Sequence, residues 1–374
     1  MNQQDFLPAD PKLLRLHQRL ATSGARSAHV FTLDGTTYLA VPQLAEDIEG
    51  QPPHMNGGNS DIEAVIYRWS DGRFVDHASL PCPAGEDALA FRMDGADFLA
   101  FANLRTGHGP YEPNTHSLIY RREGDGWALA HRIPSYGAKQ WQYFTIEGRH
   151  FLALAQGLTI PHYRPEGHGR SVILEWQDGG WREIQILGGR WGYNWHYFEI
   201  GDQRFLAYAD HVSPSLIYRW SGGGFIPYQS FAETGGRSFL AFAHEDQHWL
   251  AFAAIDGESI LHRWNGELFV RHQSLGGTGG REFELIESPH GLFLVRICFI
   301  EGTPANPKAD LMSQIFKWVD GRFERVEQFP TYGGTDASHF RADGRDFLVV
   351  ANSLTPDIRF RQDTVVYELL LDGA

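Results

Sequence analysis

Seven polar residues recur along this chain, each four positions before a Phe or, once, an Ile. Three of them, Asp87, Glu282 and Asp336, are carboxylates, and oxygen is the ligand atom that Ca²⁺ prefers. If these positions meet on one axis, the sequence predicts a calcium site made by the three carboxylates. The alternative is a hydrated polar channel without an ion. The four remaining positions carry hydroxyl or amide side chains, namely Ser27, Gln140, Asn194 and Ser238.

Two histidines lie two residues after this polar position. Histidine is the side chain that exchanges protons most readily near neutral pH, so His29 and His196 are candidate catalytic groups, with Tyr193 as a third. Nearby aromatic rings predict a ligand pocket whose ring faces attract cations, although aromatic residues in a β-rich core mostly serve packing. The candidate ligand-binding residues in this part of the chain are Gln140, Trp141, Arg190, Trp191, Asn194 and Trp195.

Long connecting segments carry further candidate ligand contacts. These are His108, His162, Tyr163 and His211, and the alternative for such residues is a solvated surface. No histidine pair has the spacing of a zinc site.

A Gly-Gly-Arg sequence occurs at residues 188–190, 235–237 and 279–281. The guanidinium groups of Arg190, Arg237 and Arg281 could recognise a carboxylate or could brace neighbouring turns. Phosphate-binding loops and nucleophile elbows are absent from the sequence, which predicts no organic cofactor.

The elements that would position these residues are short strands in a sevenfold repeat. A Phe/Tyr-Leu-Ala-like sequence recurs at Leu39, Leu99, Leu152, Leu206, Leu250, Leu294 and Leu348, usually after an Asp-Gly or Glu-Gly turn. Each unit reads as four strands, A to D, joined by tight turns, and no useful helical periodicity appears. Repeats of this length built from short strands predict an all-β, seven-bladed propeller.

The two ends of the chain complete one blade. The last unit has strands A at residues 338–342, B at 347–351 and C at 364–369, and then the chain stops. Residues 13–20 resemble the missing strand D, so we predict that the N-terminal strand closes the last blade and leaves no free sheet edge. The prediction is one propeller domain over residues 13–374, preceded by an extension over residues 1–12.

The charge of the chain limits its partners. A net charge of −14 and a pI of about 5.7 argue against nucleic acid and against anionic membrane surfaces. Residues 1–21 are polar rather than apolar, which predicts no secretory signal, and no stretch is long enough to cross a bilayer. Cys82 and Cys298 fall in distant units, so we expect no disulfide and a cytoplasmic, monomeric protein.

The repeat resembles a known family. The pattern Ser-x-Ile-Tyr-x-Trp at residues 215–220, Gly224-Phe225, Tyr136-Gly137-Ala138 and the strand at residues 347–351 are similar to the epilepsy-associated repeat, also called EPTP. The resemblance covers about residues 13–370 and implies a seven-bladed propeller. It also implies ligand binding, as in secreted and cell-surface animal members, and channel calcium held by aspartates that correspond to Asp87 and Asp336.

Two functions are consistent with the sequence. The B–C connections vary in length whereas the A–B and C–D turns stay short, and variable loops on one face of a rigid scaffold are where binding usually occurs. The first hypothesis is therefore a binding propeller that holds a small molecule or peptide segment at the mouth of its channel. The alternative is a cofactor-independent cyclase, isomerase or lyase that uses His29 or His196 at the same mouth.

Overall fold

The structure is a computed structural model that describes residues 12–159 and 164–373. The regular structure within these residues consists of seven four-stranded antiparallel sheets, one small hairpin, β24–β25 (Glu301–Thr303, Asn306–Lys308), and one 3-10 turn at Leu371–Gly373. The predicted all-β, seven-bladed propeller is confirmed. Of the predicted N-terminal extension, only Lys12 lies within the described residues.

Each blade uses four strands that follow one another from the channel outward. In blades 1 to 3 the strands are β2 (His29–Leu33), β3 (Thr36–Val41), β4 (Glu63–Ser70), β5 (Arg73–Pro81); β6 (Gly85–Met93), β7 (Ala96–Asn103), β8 (Asn114–Glu123), β9 (Gly126–Tyr136); β10 (Gln140–Ile146), β11 (Arg149–Ala155), β12 (Val172–Gln177), β13 (Gly180–Ile186). In blades 4 and 5 they are β14 (Gly192–Ile200), β15 (Gln203–Asp210), β16 (Ser215–Trp220), β17 (Phe225–Phe231); β18 (Gly236–His244), β19 (Gln247–Ala254), β20 (Ser259–Trp264), β21 (Phe269–Gly276). In blades 6 and 7 they are β22 (Gly280–Ser288), β23 (Gly291–Cys298), β26 (Asp310–Val319), β27 (Arg322–Tyr332); β28 (Gly334–Ala342), β29 (Arg345–Asn352), β30 (Thr364–Leu369), β1 (Leu14–Leu20).

The N-terminal strand closes the ring as predicted. Strand β1 pairs antiparallel with β30, from Leu14 opposite Leu369 to Leu20 opposite Thr364. The innermost strands then contact one another around the whole ring, including β28 of the last blade with β2 of the first. Strand β1 is the outermost strand of blade 7, so this blade has four strands like the others although the two ends of the chain build it together.

The core is divided among the interfaces between blades. Seven apolar clusters fill the seven interfaces, and an eighth joins the loops on one face, with Leu44, Met55, Leu104, Phe299 and Phe360 among its members. The repeated aromatic residues contribute to these clusters. In blades 1, 4, 5 and 6 a Trp near the end of the third strand packs against a Phe near the start of the fourth, and in blade 3 Trp176 packs against Trp181 in the same way. Each blade is thus stabilised chiefly by its two neighbours, as in other repeat architectures.

The described part of the chain contains no helix long and apolar enough to cross a membrane. Cys82 and Cys298 are both buried and free, so they form no disulfide.

Candidate functional site

The seven recurrent polar residues lie at the start of the innermost strands, and we call them the acceptor ring. Six of them line a channel cavity of about 330 Å³ on the propeller axis. Four of them accept a hydrogen bond from a backbone N–H of the next blade, always from the residue that follows that blade's own ring position. These bonds, of 2.9 to 3.0 Å, run from Trp141 to Asp87, Trp195 to Gln140, Phe239 to Asn194 and Ala28 to Asp336.

The acceptor ring therefore joins blades to one another. A buried backbone N–H without a partner costs about 1–3 kcal/mol, so each of these positions needs a side chain with an acceptor oxygen. The requirement explains why amides and carboxylates occupy equivalent positions, which metal binding alone does not explain.

Burial raises the pKa of the carboxyl groups in this ring. The pKa of Asp87 is raised well above its usual value by burial and by repulsion from Asp336, and the pKa of Glu282 is raised to about 8 for the same two reasons. Asp336 also accepts a hydrogen bond from Ser27 Oγ at 2.8 Å. A bound cation would relieve this repulsion, so the negative charge of the Asp87 and Asp336 carboxylates is compatible with Ca²⁺.

The positions of these carboxylates do not form a set of metal ligands. Across residues 12–159 and 164–373, no three His, Cys, Asp or Glu side chains are grouped to hold a metal. Asp87 and Asp336 also serve as hydrogen-bond acceptors between blades. Calcium binding therefore stays a prediction.

The two candidate catalytic histidines lie one layer further from the mouth. His29 Nε2 accepts a hydrogen bond of 2.9 Å from the backbone N–H of Ala90, and burial lowers the pKa of His29 to about 4. Burial also lowers the pKa of His196 to about 4, while its hydrogen bond with the backbone of Ala241 acts in the opposite direction. A neutral imidazole has one lone-pair nitrogen, and in His29 that nitrogen is already engaged. His29 is therefore a contact between blades 1 and 2 rather than a free base.

A second layer of side chains lies one residue before the acceptor ring, and we call it the charged layer. In five blades a β-bulge precedes the ring residue, so that the bulged residue turns toward the channel. In blades 1 and 3 the equivalent residue hydrogen-bonds to the second strand just before the first strand begins. The layer consists of Arg26, Glu86, Lys139, Tyr193, Arg237, Arg281 and Thr335.

A glycine before each bulged residue permits this geometry. A Cβ on Gly280 would lie 2.4 Å from Ser259 Oγ, and a Cβ on Gly236 would lie 2.5 Å from Ser215 Oγ. Because the previous blade packs directly against these positions, only glycine fits there. The packing fixes the bulge and, with it, the direction of the next side chain.

The charged layer contains four cations and one carboxylate. Glu86 lies 2.8 Å from Lys139 Nζ, 3.5 Å from Arg281 Nη2 and 3.8 Å from Arg26 Nε. These four side chains are all buried. Burial by itself would raise the pKa of Glu86, but Lys139, Arg26 and Arg281 together lower it to about 2.

Tyr193 lies among the cations of this layer. Its ring centroid is 4.0 Å from Arg237 Cζ, 5.1 Å from Arg281 Cζ and 5.2 Å from Lys139 Nζ. Burial would raise the pKa of the phenol, yet Arg237, Lys139 and Arg281 lower it below its usual value. The aromatic face offsets part of the repulsion between the cations, as cation–π contacts do.

Above the charged layer lies a mouth cavity of about 370 Å³. Arg26, Lys139, Arg281 and Tyr193 line both this cavity and the channel cavity. Loops of blades 1, 2, 3 and 6 and the turn before blade 4 supply the apolar part of its wall. These wall residues are Met55, Leu104, Tyr111, Leu158, Trp191 and Phe299.

His211 supports one side of this arrangement. Its Nδ1 accepts a hydrogen bond of 3.0 Å from Arg237 Nη1. Its ring packs edge-on against Trp191 and Tyr193, with ring centroids 5.0 Å and 6.0 Å apart. Burial lowers the pKa of His211 to about 4, and Arg237 acts in the same direction. His211 thus positions Arg237 as a neutral acceptor.

Several predicted contacts lie elsewhere. Trp141 and Trp195 border the channel cavity, but their side chains are buried in the apolar clusters between blades, which favours packing over ligand contact for both. Arg190 and His108 are exposed and line neither cavity. His162 and Tyr163 lie outside the described residues.

Arg190 is displaced because its Gly-Gly-Arg sequence is not equivalent to the other two. The glycine that precedes the bulge in blade 4 is Gly192, and the bulged residue is Tyr193. Arg237 and Arg281 follow the equivalent glycines of blades 5 and 6 and do reach the channel.

Sequence reasoning missed Arg26 and Glu86 of the charged layer and the apolar mouth-wall residues Met55, Leu104, Leu158 and Phe299. A usable signal was present, because a charged residue directly precedes the ring residue in five of the seven repeats. Regular strand alternation would turn Glu86 away from the channel, and the bulge of blade 2 reverses its direction. Arg26 precedes the first strand of blade 1, so strand alternation does not predict its direction.

The fold and its channel define this protein as a closed β-propeller with a loop-covered mouth. The family model described as the EPTP domain matches residues 128–177, 182–221 and 322–369. The predicted resemblance to the EPTP repeat is confirmed over these three segments, which lie within the seven-bladed propeller.

Two curated relatives are similar to this chain. Both are named thrombospondin-type laminin G domain and EAR repeat-containing protein; the mouse protein is 27% identical over 158 residues and the human protein 29% identical over 164 residues. Each match covers 41% of this chain and 22% of the relative. The chain therefore matches about a fifth of the length of these relatives.

Proposed function

We propose that this chain is a binding propeller that holds a small organic molecule in the mouth cavity. The observation that carries the proposal is the cavity of about 370 Å³, whose apolar wall comes from loops of four blades and whose floor is the charged layer. Small-molecule sites in proteins are typically concave and mostly apolar, with a few polar groups that fix orientation. EPTP repeats support the coarser function of a binding or interaction propeller.

One observation favours the alternative of a cofactor-independent enzyme. A phenol whose pKa is lowered by three neighbouring cations, as in Tyr193, is suited to exchange a proton with a ligand. His29 contributes little to this alternative, because its lone-pair nitrogen is engaged by Ala90. Binding requires fewer groups than catalysis and is the function that the geometry supports best.

The proposal is tested by filling the mouth cavity. Leu104 lines this cavity and is buried, so Leu104→Trp should remove much of the available volume. We expect the wild-type protein to bind the neutral fluorescent probe N-phenyl-1-naphthylamine, and Leu104→Trp to bind it at least tenfold more weakly.

The matched control is Leu129→Trp, because Leu129 is exposed on the outer strand of blade 2 and lies far from the mouth in the fold. Fluorescence titration gives the affinities and thermal unfolding verifies that each variant is folded. Equal probe binding by folded Leu104→Trp and wild-type protein would place the ligand site elsewhere.

A further inference from the structure

The charged layer has a surplus of positive charge inside a strongly acidic protein. Arg26, Lys139, Arg237 and Arg281 face a single carboxylate, Glu86, whereas the whole chain carries a net charge of −14. All five residues are at most 9% exposed. Buried charges are stable only when they are paired and hydrogen-bonded, so three net positive charges at this place need a compensating anion.

Two guanidinium groups have unused donors. Within the described residues, Arg237 Nε has no hydrogen-bond partner, and Arg26 Nε lies 3.8 Å from Glu86 without a hydrogen bond. Buried N–H donors are nearly always satisfied in folded proteins, and an unsatisfied one indicates a missing partner. In the described part of the chain Glu86 Oε2 also lacks a hydrogen-bond partner, so the two guanidinium groups call for an acceptor while Glu86 can take a further donor.

The layer already recognises one carboxylate. Glu86 is held by Lys139, Arg281 and Arg26 together, and guanidinium groups match the planar carboxylate with paired donors. Glu86 is fixed on blade 2, on the side of the channel away from Arg237 of blade 5. A second carboxylate would be needed to satisfy the Arg237 side.

We propose that the ligand of the mouth cavity is an organic acid, with an apolar body against the loop wall and a carboxylate directed at the charged layer. This inference rests on the proposed function, since it names the ligand class of the same cavity. The apolar wall, which includes Leu104, Leu158 and Phe299, suits the body of such a molecule. Arg281 and Arg26 lie at the boundary between both cavities, where the acid group would meet them.

The experiment compares one apolar body with and without a charge. Isothermal titration of the wild-type chain with 1-naphthaleneacetate and with 1-naphthaleneacetamide measures the contribution of the carboxylate. We expect the acid to bind at least tenfold more tightly than the amide. Equal affinities would overturn the organic-acid inference and leave the binding cavity standing, whereas no binding of either probe would count against the cavity itself.

Charge-removing variants locate the effect. Arg281→Gln should reduce the acid-to-amide ratio to below threefold without changing the affinity for the amide, and Arg26→Gln provides the same test should the first variant fail to fold. Arg271→Gln is the matched control, because Arg271 is exposed on the outer strand of blade 5 and pairs with exposed Glu258. An unchanged ratio in both folded channel variants would contradict recognition by the charged layer.

A third probe distinguishes the source of the acid group. A pentapeptide with a free C-terminus and a terminal Phe presents a carboxylate next to an apolar ring. Weaker binding of the peptide than of 1-naphthaleneacetate supports a free organic acid. Tighter binding of the peptide would overturn that assignment in favour of a chain terminus.

Discussion

Two neighbouring layers of the channel are built from adjacent residues of the same inner strands. In the acceptor ring, Asp87 and Asp336 accept backbone N–H groups and hold the blades together. In the charged layer, Arg237 and Arg281 project from β-bulges into the channel, and Arg237 keeps an N–H group that nothing in the described structure satisfies. Polar residues at one level thus complete the fold, whereas one residue away a buried guanidinium donor is left without a partner among the described residues.

The largest effect on stability is expected from removing the charge of Glu86, the one carboxylate of the charged layer. Glu86→Gln leaves buried Lys139, Arg26 and Arg281 without their counter-charge, and breaking such a buried pair costs about 3–5 kcal/mol. We expect a loss of about 3 kcal/mol in the free energy of unfolding, measured by urea titration. Addition of 1-naphthaleneacetate should raise the melting temperature of this variant more than that of the wild-type protein.

The control for this change is Glu258→Gln, which breaks an exposed ion pair with Arg271 and should leave stability unchanged. A Glu86→Gln protein as stable as wild type would show that the four cations do not depend on a counter-charge.

A smaller loss is expected from the acceptor ring. Asp336→Ala removes the acceptor for the N–H of Ala28 and for the hydroxyl of Ser27, where blade 7 meets blade 1. Leaving these donors without a partner should cost about 2 kcal/mol of unfolding free energy. Asp336→Asn keeps an acceptor oxygen and should cost much less. Equal destabilisation by Ala and Asn would mean that the charge, as in cation binding, matters more than the hydrogen bond.

The smallest expected effect is on the pH dependence of stability, which has opposite signs for Glu86 of the charged layer and for the buried carboxyl groups Glu282 and Glu284. Glu284 lies two residues after the ring residue Glu282 and also lines the channel cavity. The pKa values of both are raised by burial to about 8, so their stabilising contribution is complete below the usual pKa of 4.5 and is lost as pH rises toward 8. Glu86 has a lowered pKa of about 2, so its contribution is present above 4.5 and is lost as pH falls toward 2. We expect a loss of about 1 kcal/mol per raised group between pH 5 and 8, after allowance for solvent in the channel.

Melting temperatures of wild-type protein and Glu284→Gln across this range, in the presence of a chelator, measure the effect. The variant should show the smaller decline on the alkaline side. A decline in wild-type protein that disappears when Ca²⁺ replaces the chelator would support a cation at the carboxylates, while parallel curves for both proteins would refute the role of Glu284.

Much of the fold could be predicted from the sequence because the repeat is strong. Strand 364–369 matches β30 residue for residue, and residues 13–20 contain β1 with one extra residue. The predicted first strand of blade 7, residues 338–342, begins four residues too late, because β28 starts at Gly334. Those four residues contain Thr335 and Asp336, so the error falls at the level of the site.

The candidate site could be predicted only in part. Tyr193, Trp191, Arg281 and Arg237 were recognisable from aromatic density and from the Gly-Gly-Arg turns. In the structure the first three line the mouth cavity and Arg237 lines the channel cavity. Arg190 shares the same local sequence and is exposed instead.

The sequence by itself determined the number of blades, their order and the closure by the N-terminal strand, since apolar alternation and turn residues act locally and repeat seven times. Only the tertiary structure decided that the side chains one residue before the acceptor ring also face the channel. The direction of Arg281 depends on a bulge after Gly280, and that bulge depends on contact with Ser259 of the preceding blade. A contact between blades reverses the alternation that the strand would otherwise follow, so the positive charge of the mouth arises from packing as much as from residue type.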